Sequence, residues 1–95
     1  MLNLKEVFEN YRSEYLKFER VENRLSKRPD IHAFLFLDQL LSDTKNIIGC
    51  AGHDKIYLDI DCARLAEVAT KEDICTLQRC GVFYDVSEDS LVMFT

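Results

Sequence analysis

Proline and glycine are scarce: Pro29 is the only proline and there are three glycines in 95 residues. That leaves little material for a long flexible linker, and no low-complexity tract or internal repeat is visible. Long apolar runs are missing as well. The longest, Ala33 to Leu37, has five residues, against the roughly 20 that a bilayer-spanning helix needs. The opening MLNLKEVFEN carries charges where a secretory signal needs an apolar segment. A glycine-rich phosphate loop, a serine-nucleophile motif and a dinucleotide fingerprint are also lacking. The expectation is a cytoplasmic, non-enzymatic protein with no membrane partner. In that compartment thiols stay reduced, so Cys50, Cys62, Cys75 and Cys80 read first as small buried hydrophobes.

What is present suits one globular domain. Hydrophobic residues make up 47% and charged residues 31%, which argues against disorder. A chain of this size buries about 60–65% of its unfolded surface, so a core needs neither disulfide nor metal. The net charge of −5 is unevenly spread. Residues 1–29 hold seven Lys/Arg and five Glu, whereas residues 30–95 hold five Lys/Arg and twelve Asp/Glu. A basic segment on an acidic body bears on partners, or on the two halves meeting each other.

The pattern divides the chain into a helical arm, 1–28, and a small α+β domain, 29–95. Leu4, Val7, Phe8, Tyr11, Tyr15, Phe18, Val21 and Leu25 recur at steps of three or four, the period of an amphipathic helix. Such a helix of about 24 residues is about 36 Å long. Leu4, Tyr11, Phe18 and Leu25 also repeat every seven residues. Yet Glu14 interrupts the row of Val7 and Val21, and aromatics stand where a two-stranded coil prefers β-branched residues. The stripe fits a sheet or groove better than a zipper.

A second helix should open at Pro29, with Asp30 able to cap it, and the run IHAFLFLDQLL predicts that it is central and buried. Residues 46–52 read equally as a strand or a helix end. Lys55 to Asp61 alternates as a strand, burying Ile56, Leu58 and Ile60 and turning out Asp59 and Asp61. Cys62 to Val68 reads as a short helical turn. Thr70 and Asp73 predict a capped third helix closed by Gly81. VFYDVSEDSLVMFT predicts a C-terminal β-hairpin in a small mixed or antiparallel sheet, with Val86 opposite Leu91. One face then holds Val82, Tyr84, Val86, Leu91 and Met93. The other holds Phe83, Asp85, Val92 and Phe94, and so needs a cover.

Four constellations could carry chemistry. Cys50, His53, Cys75 and Cys80 are possible zinc ligands, but Cys75 and Cys80 lie five apart and fall on different helix faces. Cys50, His53 and Asp54 suggest a thiol nucleophile, without any oxyanion donors to serve it. Asp59 and Asp61 share a strand face and could hold magnesium, although a solvated face explains them as well. Lys17, Arg20, Arg24 and Lys27 could follow a phosphate backbone, but Glu14, Glu19 and Glu22 break that surface. No catalytic residue, metal ligand or cofactor is assigned, and nucleic acid is disfavoured as a partner.

Three segments, HDKIYLDID, ATKEDI and RCGVFYDVSEDSLVMF, resemble a group of small proteins encoded by tailed bacteriophages. The resemblance covers residues 53–94 and is most specific at Arg79, Cys80, Gly81 and Val82 and at Asp89, Ser90, Leu91, Met93 and Phe94. It implies a phage or prophage origin and carries no activity with it.

The expectation is therefore an interaction protein that binds a host or phage protein, or a second copy of itself as a homodimer. The candidate contact residues are Leu4, Phe8, Tyr11, Tyr15, Phe18, Phe83 and Phe94. Arg20, Arg24, Asp59, Asp61, Asp85 and Asp89 would form a charged rim that steers association.

Overall fold

A computed structural model of the chain describes residues 2–42, 47–52 and 54–94. Four antiparallel strands, β1 (Ile48–Ala51), β2 (Lys55–Leu58), β3 (Val82–Asp85) and β4 (Ser90–Phe94), form one sheet in the order β1-β2-β4-β3. The helices are α1 (Leu4–Asn10), α2 (Pro29–Leu40), α3 (Cys62–Val68) and α4 (Lys71–Arg79). The fold is α+β.

Strand alternation sorts the sheet into two faces. Ile56, Met93 and Val82 share one register row, and Leu58, Leu91 and Tyr84 another. These inner-face side chains pack with Leu37, Leu65, Ile74 and Leu77 from the helices into one core. The outer face carries Lys55 beside Phe94, and Tyr57 beside Val92 beside Phe83. Val82 pairs with Met93 and Tyr84 with Leu91, so the β3–β4 register sits two residues from the expected one. A two-residue shift leaves the strand residues on their faces. But β3 ends at Asp85, so Val86 does not face Leu91 on the buried side and lies exposed beside Phe83 and Phe94.

The long arm helix does not form. The helix stops at Asn10, and single 3-10 turns follow at Arg12–Glu14 and Phe18–Arg20. A straight helix of about 36 Å would overrun the molecule, whose greatest extent is 29 Å. The segment instead wraps the body and delivers Leu4, Val7, Phe8 and Val21 to the common core. Fully burying each such side chain is worth about 1.5–3 kcal/mol. Two backbone bonds fix the path: the Leu2 amide donates to Ala66 at 2.9 Å and the Leu16 amide to Gln78 at 3.2 Å. Leu16 takes φ 63° to do so, a left-handed conformation that a branched side chain adopts only under tertiary constraint.

Local signals explain the shorter elements. The Asn3 side chain accepts from the Glu6 amide and starts α1. Thr70 and Asp73 form a reciprocal capping box on α4, an arrangement whose loss typically costs about 1 kcal/mol. Gly81 follows α4 at φ 93°, where glycine alone is unstrained. Asp30 does not cap α2. Arg28 occupies the cap position, and the Asp30 carboxylate pairs with its guanidinium at 3.6 Å. Nor is α2 buried all round: His32, Ala33 and Leu37 face inward, but Ile31 and Leu35 are exposed. His32 packs against Phe18 and accepts from the Leu25 amide of the wrapped N-terminal segment, while the side that carries Ile31 and Leu35 meets water. Strand β2 ends at Leu58, and Asp61 becomes the cap of α3, accepting from the amides of Ala63 and Arg64 at 3.1 and 3.2 Å. Residues 48–51 are strand rather than helix end, and residue 46 lies outside the described residues.

Candidate functional site

The uncovered part of the outer face forms a groove of about 620 Å³ along the β3 edge. Its floor is aromatic. Phe83 and Phe94 stack with centroids 5.1 Å apart, and Tyr15 meets Phe83 edge-on at 6.2 Å. Phe8 stacks on Tyr84 at 6.1 Å and closes the α1 side. Phe94 keeps 54% of its surface exposed, while Val92 beneath this cluster is fully buried. Tyr57 and Phe83 flank Val92 on the outer face, and Phe94 and Tyr15 pack on Phe83, which accounts for its burial.

Charge gathers on the rim. Lys5, Arg12 and Lys55 line the groove together with one carboxylate, Glu9. The Lys55 ammonium stands 5.7 Å from the centre of the Phe94 ring. Arg12 and Glu9 approach only to 3.8 Å, both largely solvated, a pair worth little in water. Gln78 reaches the groove from α4, and its buried side-chain oxygen accepts no hydrogen bond. An orphaned buried acceptor of this kind costs about 1–3 kcal/mol.

The expected contact residues thus divide. Phe8, Tyr15, Phe83 and Phe94 meet in the groove. Leu4 belongs to the core, and Tyr11 borders a separate polar cleft with Arg20, Glu22 and Arg79. Phe18 lies against His32, under the Arg24 guanidinium at 4.7 Å. The division has a simple cause: the expected stripe belonged to a straight helix, and the wrapped segment turns its successive residues in different directions.

The expected charged rim dissolves for the same reason. Arg20 binds both oxygens of Glu14 at 2.9 and 3.0 Å, and Arg24 donates to the carbonyls of Phe18 and Val21. Arg20 and Arg24 of the basic stripe read as a phosphate track are thus used internally, and the neighbouring Arg28 pairs with Asp30. Asp61 caps α3. Asp85 accepts from the Ser87 amide and hydroxyl and from the Glu88 amide, and these bonds, with Ser87 foremost, hold its carboxyl below the ordinary 3.8. Asp89 accepts from the Tyr84 hydroxyl, which keeps the phenol protonated to about 12. Asp59 is exposed beyond the end of β2 and shares no strand face with Asp61. The real rim residues Lys5, Glu9, Arg12 and Lys55, with Gln78, Tyr84 and Val86 inside, carried no motif. Lys55 and Phe94 become neighbours only once β2 pairs with β4.

The cysteines also divide. Cys62, Cys75 and Cys80 are buried, but Cys50 is exposed on β1, because that short strand has all four residues in water. Burial raises the thiol of Cys62 to about 11 and that of Cys80 to about 12, so both stay protonated at neutral pH. Among the described residues no three His, Cys, Asp or Glu side chains gather where a metal could bind, and His53 lies outside them. No described helix is long and apolar enough to cross a membrane. Comparison with protein-family models, with curated proteins and with solved structures finds no match for the chain.

Proposed function

We propose that this is a non-enzymatic, phage-type protein that acts in the cytoplasm of a bacterial host by binding a protein partner in the aromatic groove. One observation carries the reading: Phe94, stacked on Phe83, is 54% exposed on the floor of an open groove. A ring left half in water retains roughly 1 kcal/mol of burial energy for whatever covers it. Aromatic side chains and arginine are enriched in protein interfaces, and the groove holds Phe8, Tyr15, Phe83, Tyr84, Phe94 and Arg12.

Selection of short displayed random peptides on the immobilised full chain tests the reading. The selected peptides should lose at least about tenfold in affinity on Phe94→Ser and keep it on Ile48→Ser, a control exposed on β1. Peptides that bind Phe94→Ser as tightly as the native chain would contradict it.

A further inference from the structure

Resting on that reading of the groove, we infer the chemistry of its occupant: an acidic peptide segment that carries an aromatic or long aliphatic anchor. The charge balance of the rim points there. Among the described residues, Lys5, Arg12 and Lys55 line the groove against one carboxylate, Glu9, on a chain whose net charge is −5. A local surplus of cations on an acidic protein selects a short anionic ligand, which meets the rim without spanning the acidic remainder. Asp85 lies near enough to Lys55 to feel its charge. Its carboxylate, however, is taken up by the turn donors at Ser87 and Glu88, so the lysine ammonium retains no direct carboxylate partner among the described residues.

The floor specifies the anchor. The Phe83–Phe94 stack, bordered by Tyr15 and Val86, offers an aromatic face and edge to a ring or branched chain. A free anion would satisfy the rim and leave the aromatic floor unmet. A nucleic-acid strand fits worse. It would extend its phosphates past the rim toward Glu88 and Asp89, which follow Val86 in the β3–β4 turn, and like charge there opposes a polyanion.

The composition of the selected peptides decides the matter. They should be enriched in Asp and Glu around a Phe, Tyr, Leu or Met. Binding should weaken at least tenfold on the Lys5→Glu/Lys55→Glu double variant, and weaken as salt rises from about 50 to about 500 mM. Lys5→Arg/Lys55→Arg, which keeps charge, should restore it, and circular dichroism should show both variants folded. Uncharged or basic consensus peptides, or indifference to the charge reversal, would overturn the acidic occupant while leaving the groove in place. Binding undiminished by Phe94→Ser would overturn groove and occupant together. Failure to enrich any peptide, tight binding of a single-stranded oligothymidylate, or a dimer in sedimentation that Phe94→Ser dissociates would each overturn the inference too.

Discussion

The Arg79 guanidinium donates from Nε to the Glu14 carboxylate at 3.4 Å, joining residues 65 positions apart. Its Nη1 also reaches the carbonyl of Arg20 at 3.3 Å. The N-terminal segment is thereby clamped to α4 beside the polar cleft that Arg20 and Arg79 line. The direction is the reverse of what the charge distribution suggests, for the basic segment supplies the carboxylate and the acidic body the cation. The hydrogen bond from Arg79 is the main reason the Glu14 carboxyl sits below its ordinary 4.5. A depressed carboxyl pKa contributes stability above the ordinary value and loses it as pH falls through the folded one.

Removing this clamp should loosen the segment without unfolding the core. In Arg79→Met, exchange of the Leu16 amide, which donates to Gln78, should speed at least about tenfold relative to amides of β4. In Glu14→Gln the protection of this amide, corrected for its intrinsic exchange rate, should no longer fall as the pH drops below 4.5. Equal acceleration across the whole sheet would mean that the clamp supports the global fold instead.

His32 predicts a second pH effect, at milder acidity. The imidazole is 2% exposed, stacked on Phe36 and edge-on to Phe18. Its Nδ1 accepts from the Leu25 amide at 3.0 Å and its Nε2 has no partner. Burial, and then the charge of Arg24, push its pKa below 6.5. The fold therefore prefers the neutral ring. Its contribution is complete above about 6.5 and is lost as pH falls below that value toward the folded pKa. Denaturant titrations at pH 7.5 and 5.5 should show lower stability at the acid pH. His32→Phe should remove that difference while losing about 1 kcal/mol through the orphaned Leu25 amide.

Gly81 should tolerate no side chain. Its φ of 93° is left-handed, and an added Cβ would stand 2.9 Å from Leu16 Cδ2. Gly81→Ala should destabilise by about 1–3 kcal/mol, measured by thermal or denaturant unfolding. Leu16 is exposed and its Cδ2 can swing aside, so adding Leu16→Ala should recover little and leave the cost of φ. Full recovery would show that backbone conformation is not limiting here.

These contacts also show what was legible beforehand. Thr70, Asp73 and Gly81 declare α4 because caps act within a few residues. The alternation of Val82 to Phe94 declares two faces because face membership survives a register slip of two. The fate of the N-terminal segment was hidden. Its apolar period persists to Leu25, yet the bonds that bend it, Glu14 to Arg79 and Leu16 to Gln78, join positions more than 60 apart. No local pattern records them. The groove was half legible: Phe83 and Phe94 stood out as needing a cover, whereas Lys55, Lys5 and Gln78 reach it only through tertiary placement.

The groove itself is tested most directly by mapping a selected peptide onto the isotopically labelled full chain by NMR. Amide and aromatic resonances of Tyr15, Lys55, Gln78, Phe83 and Phe94 should shift together with one saturating dissociation constant, in the micromolar range usual for small transient interfaces. Shifts confined to the exposed strand β1, or to Ile31 and Leu35 on α2, would place the binding surface elsewhere and contradict the account.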